Sequence, residues 1–569
     1  SDERSIQRIR ELFGGLLDGH EVLANNSRWI SFTTISCERW VHDNVVLLGD
    51  AAHTAHFSIG SGTKLAMEDA LALAACVHEE ASLEAALKAY ETERKAVVLS
   101  TQRAAQASLE WFENLEQYLD QEPLQFGFNI MTRSRRVTYD NLRVRDPEFV
   151  GRLDAWFAAH EAARGHGDGQ VRPPMFQPFR LGRLELPNRV VVSPMDQYVA
   201  VDGLPGDFHL VHLGGKALGG AGLVMTEMVC VSPHGRITLG CTGLWNDEQR
   251  DGWRRITDFV HAWSPAKIGL QLGHSGGKGS TKLMWEGIDE PLPSANWQVV
   301  AASPVPYREG VNQVPHELIR PEMDRIRDEF VASARRGVEA GFDVLELHCA
   351  HGYLLSGFLS AYANRRTDDY GGCVENRLRY PLEVFTALRE VWPANLPMTV
   401  RISATDWVEG GNTVVDAVAI ASVFEAAGAA AIDVSTGQVT SQEQPMFGRS
   451  YQTPYADAIR NRVGIPTIAV GVISSFDDVN SILLAGRADL CALGRVHLYD
   501  PSWTLHAALD QDYDGPGAAW PQPWRAGRRK PQTGRTDGPK PRLQLVRDSD
   551  GTETAGLAAE ATHHRRWRP

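Results

Sequence analysis

Eight short runs of apolar, largely β-branched residues alternate with helical patterns between about residues 176 and 510. The runs are apolar throughout, as parallel strands covered by helices are. They lie at 189–193, 222–228, 267–274, 343–348, 398–403, 431–435, 467–472 and 490–494. Amphipathic patterns at 322–340 and 414–427 separate later runs. This alternation predicts an α/β fold, a (β/α)8 TIM barrel. An open doubly wound sheet is the alternative, but no G-x-G-x-x-G follows the first run.

The length of 569 residues is too great for one hydrophobic core, which usually stops growing at about 250–300 residues. We predict an N-terminal domain at 1–160, a linker at 161–175, a barrel at 176–512 and a tail at 513–569. The linker holds a glycine-rich stretch at 165–170 that indicates a flexible hinge. The tail is rich in Pro, Gly, Arg and Lys, which predicts disorder.

The net charge of −14 argues against a general binder of nucleic acid or of anionic membranes. No apolar run approaches the roughly 18 residues of a membrane-spanning helix. The seven cysteines are scattered and none forms a C-x-x-C pair, which argues against a disulfide framework and against a clustered metal site. We therefore expect a cytoplasmic enzyme that acts on a small molecule, with no nucleic-acid or membrane partner and no metal.

Catalytic groups of a (β/α)8 barrel lie at the carboxyl ends of its strands. Polar or glycine residues lie at these ends in six of the predicted strands. They are Pro194-Met195-Asp196-Gln197-Tyr198 on the first, Gln271 and His274 on the third, His348, His351 and Tyr353 on the fourth, Arg401 on the fifth, Gly471 on the seventh and Gly494-Arg495 on the eighth.

Two histidines and a tyrosine within six residues favour a catalytic role. The imidazoles of His348 and His351 can together donate hydrogen bonds to one carbonyl oxygen, and the Tyr353 phenol can deliver a proton. A metal site is the alternative, but no nearby carboxylate or third histidine completes a ligand set. Gly471 and Gly494-Arg495 lie where barrels commonly bind phosphate, although each glycine alone is also typical of a turn. Together these features indicate a flavin mononucleotide (FMN) site facing an electron-poor alkene.

Residues 176–510 resemble the old yellow enzyme family of FMN-dependent ene-reductases. The matching motifs are LPNRVVVSPM at 186–195, IGLQLGH at 268–274, GFDVLELHCAHGY at 341–353, and NRRTDDYGG at 364–372 followed by ENR at 375–377. The related dienoyl-CoA reductases carry an iron–sulfur cluster beyond the barrel. This chain has no cysteine after Cys491, which excludes that subgroup.

The resemblance implies NAD(P)H as hydride donor and a role for each matching residue. His348 and His351 would bind the substrate carbonyl, Tyr353 would donate the proton and Tyr198 would line the pocket. Gln271 would bind the pyrimidine edge of the flavin, and Arg401 its N1–C2=O side. The residues expected around FMN are Pro194, Met195, Asp196, Gln271, Arg401, Gly471, Gly494 and Arg495. Asp196 departs from relatives, which more often carry Cys or Thr there.

The N-terminal region holds a second flavin-like pattern. A predicted strand at 45–48 leads into Gly49-Asp50, and Gly60-Ser61-Gly62 opens a predicted helix at 63–77. The Asp50 carboxylate can accept a ribityl hydroxyl, and the glycine turn offers free N–H groups. The alternative role for Asp50 is a cap of the turn. A long amphipathic stretch follows at 85–120.

Residues 44–72 resemble the second flavin-contacting motif of FAD-dependent aromatic hydroxylases. Gly49, Asp50, Gly60 and Gly62 would then form a partial FAD site. No G-x-G-x-x-G precedes residue 44, so we expect either the C-terminal part of such a domain or a domain that has lost FAD.

The pairing of the two modules is similar to the bifunctional 2-aminobenzoyl-CoA monooxygenase/reductases, whose hydroxylase half resembles the salicylyl-CoA 5-hydroxylases. The resemblance implies an aromatic acyl-CoA, or its dearomatised ketone, as substrate. The basic run 133–136 would contact CoA phosphates or form a solvated face. The alternatives are a free-standing ene-reductase with a non-catalytic N-terminal module, and an N-terminal scaffold for a homo-oligomer.

Overall fold

A computed structural model of the chain describes residues 2–24, 31–527, 543–547 and 553–557. The chain divides into two compact units. The first unit contains Ser1–Asn114 and Arg133–Arg136, and the second contains Leu115–Thr132 and Val137–Pro569.

The first unit is mainly helical. Buried Trp40, Leu65 and Tyr90 form its core together with residues of its long helices. The last helix begins at Leu83 because the Ser82 side chain accepts a hydrogen bond from the Ala85 N–H at 3.2 Å. The elements are α1 (Asp2–Leu17), β1 (Val41–His42), β2 (Val45–Val46), α2 (Gly62–Glu79) and α3 (Leu83–Glu113). The predicted strand at 45–48, the helix at 63–77 and the amphipathic stretch are thus confirmed in outline.

The second unit opens with three helices that pack on its barrel. They are α4 (Pro123–Thr132), α5 (Tyr139–Arg145) and α6 (Pro147–Ala163). Phe128, Leu153 and Phe157 are buried in the same core as the barrel strands. The Tyr118 hydroxyl, just before α4, donates to Asp457 Oδ2 at 2.6 Å. The compact units therefore divide the chain at Asn114, not at the sequence-predicted domain limit of 160, because these helices bury their apolar faces against the barrel.

The predicted hinge at 165–170 makes specific contacts. The His166 ring stacks on Phe179 with centroids 4.4 Å apart, and its Nδ1 accepts the Arg180 N–H at 3.2 Å. The Gln177 side chain donates to the Gln170 carbonyl at 2.9 Å. The segment is therefore held against the hairpin that follows it, which composition does not reveal.

A closed barrel of eight parallel strands forms the centre of the second unit. The strands of this unit are, in chain order, β3 (Phe179–Leu181), β4 (Leu184–Leu186), β5 (Val190–Val192), β6 (Leu223–Cys230), β7 (Lys267–Gly273), β8 (Val300–Ala301), β9 (His316–Glu317), β10 (Val344–Cys349), β11 (Met398–Ser403), β12 (Ala431–Ser435), β13 (Thr467–Ala469), β14 (Leu490–Leu493), β15 (Leu543–Arg547) and β16 (Glu553–Leu557). Strands β5, β6, β7 and β10–β14 close the barrel in that order, with β14 against β5. The predicted (β/α)8 barrel is confirmed, and the open doubly wound sheet is excluded.

Helices cover the outside of the barrel, which explains why the strands are apolar throughout. Their limits are α7 (Asp207–Leu218), α8 (Asp247–Trp263), α9 (Arg320–Ala340), α10 (Leu354–Leu359), α11 (Val374–Val391), α12 (Val414–Ala426), α13 (Thr453–Val463), α14 (Phe476–Leu484), α15 (Arg495–Tyr499) and α16 (Trp503–Asp510). None of the helices in the described part of the chain is long and apolar enough to cross a membrane.

The predicted disordered tail at 513–569 contains described structure. Tyr513 stacks on Phe176 with ring centroids 5.0 Å apart, and Ala518 is buried. Strands β15 and β16 pair in antiparallel register. The rest of that prediction, at 528–542, 548–552 and 558–569, lies outside the described residues.

Candidate active site

The loop after β10 brings together the three residues that the sequence predicts to be catalytic. His348 lies on the strand, His351 follows it in a left-handed conformation with φ +64°, and Tyr353 precedes α10. The ring centroids are 5.1 Å apart for His348 and His351, 5.2 Å for His348 and Tyr353, and 6.4 Å for His351 and Tyr353. The three rings therefore meet at the carboxyl end of one barrel strand.

Two serines orient His351. The His351 N–H donates to Ser403 Oγ at 2.9 Å, and its Nε2 lies 2.7 Å from Ser435 Oγ. Ser403 and Ser435 are the final residues of β11 and β12. Neither serine was predicted as a site residue, although both end strands that the sequence predicts.

The imidazoles of His348 and His351 are neutral. Burial, and then the positive charge of Arg401, hold the pKa of each imidazole well below its ordinary value. A neutral imidazole carries one N–H and one acceptor nitrogen. The Nδ1 atom of His348 is buried and has no hydrogen-bond partner in the structure. A buried polar atom of this kind is costly unless a ligand or water satisfies it, so it marks a binding position.

Tyr198 reaches the same region from the loop after β5. It packs on a buried cluster that contains Tyr353, Met228 and Cys230, and its backbone is left-handed with φ +55°. Burial raises the pKa of both phenols above the ordinary value, so both remain protonated at neutral pH. Each tyrosine thus keeps its O–H donor, and the Tyr353 ring lies beside both histidines.

A layer of polar side chains lies inside the barrel at Gln271. Gln271 Nε2 donates to Glu346 Oε1 at 2.9 Å, and the Thr399 hydroxyl donates to Glu346 Oε2 at 3.0 Å. All three residues are paired in register across β7, β10 and β11. Glu346 therefore holds the side chain of Gln271 in place. Its presence within an apolar strand, two residues before His348, was an available sequence signal.

Arg401 and Asp433 face each other from β11 and β12. Arg401 Nε lies 3.3 Å from Asp433 Oδ2 but lacks the alignment of a hydrogen bond. Burial raises the pKa of Asp433 and of Glu346 above the ordinary values, while the charge of Arg401 acts in the opposite direction. The guanidinium group is therefore a buried cation with donor capacity left for a ligand.

Asp196 lies beyond β5, opposite β6. Its Oδ1 accepts the Met228 N–H at 3.2 Å, and the neighbouring Gln197 N–H donates to Glu227 Oε2, also at 3.2 Å. Burial and the charge of Glu227 raise the pKa of Asp196 above its ordinary value. The adjacent Met195 carbonyl accepts from Gln197 Nε2 at 2.8 Å.

Glycines follow the ends of β13 and β14, and a Cβ atom at Gly494 would lie 3.4 Å from Met195 Sδ. Gly471 has φ +106°, and a Cβ atom there would lie 2.5 Å from Gln452 Nε2. Gly494 precedes α15 without a side-chain cap, and Arg495 is the exposed first residue of that helix. Uncapped N–H groups at a helix start suit an anion. At the barrel mouth, Arg401 Nε and this backbone form a donor set that fits a phosphorylated flavin. His348 Nδ1 is left for a second ligand, such as a carbonyl oxygen.

A buried polar cluster holds the turn at Gly49 in the first unit. Asp69 Oδ2 accepts the Gly49 N–H at 2.9 Å and lies 2.7 Å from His53 Nε2. Arg94 Nε donates to Asp69 Oδ1 at 2.8 Å. These bonds hold the pKa of Asp69 below its ordinary value despite burial. Sequence analysis did not assign a role to His53, Asp69 or Arg94.

The other predicted FAD residues lie on open surface. Asp50 is exposed, and a Cβ atom at Gly60 or Gly62 would meet nothing within 4 Å. Helix α2 begins at Gly62 without a side-chain cap. The space beside this turn and its free N–H groups fit a close approach by a flavin or pyrophosphate.

The basic run at 133–136 makes internal contacts. Arg133 donates to Ser108 Oγ and to the Ser58 carbonyl, both at 2.9 Å. Arg136 donates to Thr101 Oγ1 at 3.2 Å. Two of its arginines therefore brace the first unit, and contact with CoA phosphates stays a prediction.

Comparison with known proteins gives two family matches and close relatives of the barrel. The NADH:flavin oxidoreductase / NADH oxidase family matches residues 174–512, and an FAD binding domain matches residues 1–105. An NADPH dehydrogenase of Listeria innocua is 40% identical over 336 residues, which cover 59% of this chain and 94% of the relative.

Solved structures share the barrel. Morphinone reductase is 27% identical with a TM-score of 0.51, and the match covers 62% of this chain and 92% of that one. A 2-naphthoyl-CoA reductase in complex with 2-naphthoyl-CoA is 22% identical with a TM-score of 0.54. That match covers 60% of this chain and 52% of the reductase, and at this identity it supports the fold alone.

The family match includes all eight barrel strands and the polar residues at their ends. It confirms the FMN and nicotinamide cofactors that the resemblance implied, and the second match confirms FAD as the cofactor type of the N-terminal domain. The contacts of individual residues with these cofactors stay predictions. The chain belongs to the NADH:flavin oxidoreductase / NADH oxidase family and carries an FAD binding domain in its N-terminal residues.

Proposed function

We propose that the barrel reduces the activated C=C bond of an α,β-unsaturated carbonyl compound, with NADH or NADPH as hydride source. The convergence of His348, His351 and Tyr353 at one strand end carries this proposal. The name of the Listeria relative, an NADPH dehydrogenase, supports NADPH as the donor.

The polar layer of the barrel and the strand ends support our assignment of the residues that would surround FMN. Gln271, fixed by Glu346, would bind the pyrimidine edge, and Arg401 would face the N1–C2=O side. Pro194, Met195 and Asp196 would line one side of the ring. Gly471, Gly494 and Arg495 would bind the phosphate. When bound, FMN accepts hydride from the nicotinamide and passes hydride to the substrate.

The histidine pair would act on the substrate carbonyl. Neutral imidazoles donate to the carbonyl oxygen, and these hydrogen bonds strengthen as negative charge develops on it. The Tyr353 O–H would then deliver a proton to the α carbon, while Tyr198 closes the pocket. Burial of His348 and Tyr353 limits the access of water and increases the effect of nearby charges.

An anaerobic turnover assay tests the proposal. Purified protein reconstituted with FMN is mixed with NADPH or NADH and cyclohex-2-enone, and cyclohexanone is measured. Formation of the saturated ketone supports the proposal. Oxidation of the nicotinamide by oxygen alone, with no saturated ketone formed under anaerobic conditions, would refute it.

We further propose that the N-terminal residues belong to a hydroxylase of an aromatic acyl-CoA, as in the 2-aminobenzoyl-CoA monooxygenase/reductases. The FAD binding domain match and the open glycine turn at Gly60 and Gly62 support this proposal. The barrel would then reduce the dearomatised ketone that hydroxylation produces. A free-standing ene-reductase with a non-catalytic N-terminal module is the alternative.

Flavin content separates these two proposals. The full-length protein is saturated with FMN and FAD and desalted, and the released flavins are separated and counted per chain. One FMN and one FAD support the hydroxylase proposal, whereas FMN alone supports the free-standing reductase. Light scattering of the same sample tests the homo-oligomer that we also propose.

A further inference from the structure

Lys278 is a buried cation beside the histidine pair. It ends the 3₁₀ turn Gly276–Lys278 after β7, and only 6% of its surface is exposed. Its Nζ donates to the carbonyl oxygens of His351 and Gln438, each at 3.1 Å. Neither the cofactor contacts nor the proton donor of the proposed reaction uses this residue.

The two carbonyls belong to loops with unusual backbones. His351 and Gln438 both have φ +64°, a conformation that non-glycine residues rarely adopt. A Cβ atom at Gly352 would lie 2.4 Å from the Gln438 carbonyl oxygen, so the two loops touch. Lys278 therefore joins the loop after β10 to the loop after β12 at the point where each is strained.

Two aromatic rings complete the surroundings of the ammonium group. Nζ lies 4.1 Å from the ring centroid of Tyr307 and 5.4 Å from that of Tyr353. Among the residues that the structure describes, no carboxylate lies within the 4.0 Å ion-pair distance of Nζ. Burial lowers the pKa of Lys278, while the more distant charges of Asp289 and Glu443 act in the opposite direction and that of Arg308 adds to the lowering.

A buried ammonium without a paired carboxylate is unfavourable in a resting protein. It becomes favourable when a negative charge develops nearby, which is how charged groups stabilise transition states. Proton donation by Tyr353 creates such a charge: its O–H bond breaks, a C–H bond forms at the substrate α carbon from the enolate electrons, and the O–H electron pair remains on the phenolate. Water later returns the proton.

We propose that Lys278 is a positioning residue of the reduction: it fixes the His351 loop and stabilises the phenolate that Tyr353 becomes after giving up its proton. The inference rests on the proposed function. Two unit charges about 5–6 Å apart, in a medium of effective dielectric constant of about 20, change an equilibrium constant by about 100-fold. Loss of the Lys278 charge should therefore slow proton transfer from Tyr353 by roughly 10- to 100-fold.

Half-reactions of the FMN-loaded enzyme test the inference. In K278M, reoxidation by cyclohex-2-enone should slow roughly 10- to 100-fold. Reduction by NADPH should stay within about threefold of wild type, because no proton passes through Tyr353 in that step. K278R should recover most of the lost rate. The matched control is K282M, whose lysine lies four residues away in a 2.7 Å ion pair with Glu290, and it should behave as wild type.

A double-mutant cycle with Y353F separates this role from simple structural support. If Lys278 acts through Tyr353, K278M should slow reoxidation far less in the Y353F background than alone. Binding of cyclohexanone, followed through the flavin spectrum, should weaken in K278M because the His351 loop loses its hydrogen bond from Lys278. It should recover in K278R, which keeps a donor at this position. FMN content and the thermal midpoint report whether K278M is folded.

The outcomes separate the two proposals. Additive effects of K278M and Y353F, or equal slowing of both half-reactions, would overturn the role of Lys278 while leaving alkene reduction intact. A wild-type enzyme that cannot reduce the enone would overturn the proposed function, and the inference with it. If K278M does not fold, K278Q, which also removes the charge but keeps a polar side chain, replaces it in the cycle with Y353F.

Discussion

The imidazole of His348 and the phenol of Tyr353 meet nearly edge to face, with ring centroids 5.2 Å apart and planes inclined at 74°. His348 is fixed by the barrel strand, whereas Tyr353 is fixed by the first turn of α10. A substrate whose carbonyl oxygen binds the His348 imidazole would therefore lie close to the Tyr353 hydroxyl, which is the proposed proton donor. This relationship, and not either residue alone, is what the proposed reduction requires.

Removal of both imidazoles should stop alkene reduction without releasing FMN. In H348A/H351A we expect reoxidation by cyclohex-2-enone to fall by about 100-fold or more, because two donors to the developing oxyanion are lost. FMN should remain bound, since Gln271 and Arg401 lie on other strands. Stopped-flow absorbance measures the rate, and the desalted protein gives the flavin content. H506A, which changes an exposed histidine, is the control. Unchanged reoxidation in the double variant would contradict the mechanism.

Asp196 should lower the flavin midpoint potential in a pH-dependent way. Its raised pKa means that the side chain is neutral in more acidic solution and becomes a carboxylate as the pH rises. A carboxylate disfavours the anionic reduced flavin, so D196N and D196C should raise the potential, by roughly 30 mV at pH 8.5. The difference from wild type should shrink at pH 6. Spectroelectrochemistry provides the measurement, and a lower potential in D196N would show that the carboxylate does not act as a charge.

Gly471 should be required for FMN affinity because of Gln452. In G471A the new methyl group would lie 2.5 Å from Gln452 Nε2. Gln452 accepts the Thr436 hydroxyl and donates to the Val470 carbonyl, so it cannot move freely. We expect FMN to bind at least about tenfold more weakly, measured by fluorescence quenching on the deflavinated protein. G464A has a similar left-handed backbone, φ +90°, but open space around it, so it should bind FMN as wild type does. Equal affinities of the two variants would remove Gly471 from the phosphate site.

The barrel was predictable because the same local pattern, an apolar run followed by a helical segment, recurs eight times along the chain. Apolar residues marked each strand, and polar or glycine residues marked six of the eight strand ends. His348 and Arg401 were therefore found in their correct strands, and His351 and Tyr353 just after β10. The order of the strands then followed from the fold class. The predicted runs at 189–193 and 467–472 are longer than β5 and β13, because only three residues of each form the strand.

The contacts of the supporting residues were not predictable from local pattern, even where their positions at strand ends were. Lys278 lies in a glycine-rich loop, where nothing in the sequence indicates burial of a charge. Ser403 and Ser435 contact His351 only because β10, β11 and β12 are neighbours in the barrel. The packing of α4 to α6 on the barrel depends on long-range contacts of the same kind, and apolar content alone does not say which core a helix joins.

Arg94 should be essential for the stability of the first unit. It is fully buried and donates to Asp69 at 2.8 Å and to Glu68 at 3.1 Å. In R94M, Asp69 would stay buried without its cation, which typically destabilises a protein by about 3–5 kcal/mol. We expect faster limited proteolysis within residues 31–114 while FMN remains in the barrel. The double variant R94M/D69N removes the unpaired charge as well and should resist proteolysis better than R94M. Unchanged proteolysis of R94M would contradict a stabilising role for the cluster.

Asp154 should make the second unit less stable as the pH rises. Burial raises its pKa to about 7, and the hydrogen bond from the Tyr139 hydroxyl at 2.9 Å only partly offsets this effect. Because the folded state binds the proton more tightly than the unfolded state, stability falls as the pH rises from about 4 to about 7 and is then constant. D154N keeps the neutral shape at every pH. Its advantage over wild type in thermal midpoint should therefore grow between pH 5 and pH 8, by the equivalent of about 1–3 kcal/mol. E148Q, an exposed change on the same helix, should show no such growth. A constant difference between D154N and wild type across this range would mean that Asp154 is ionised in the folded protein throughout.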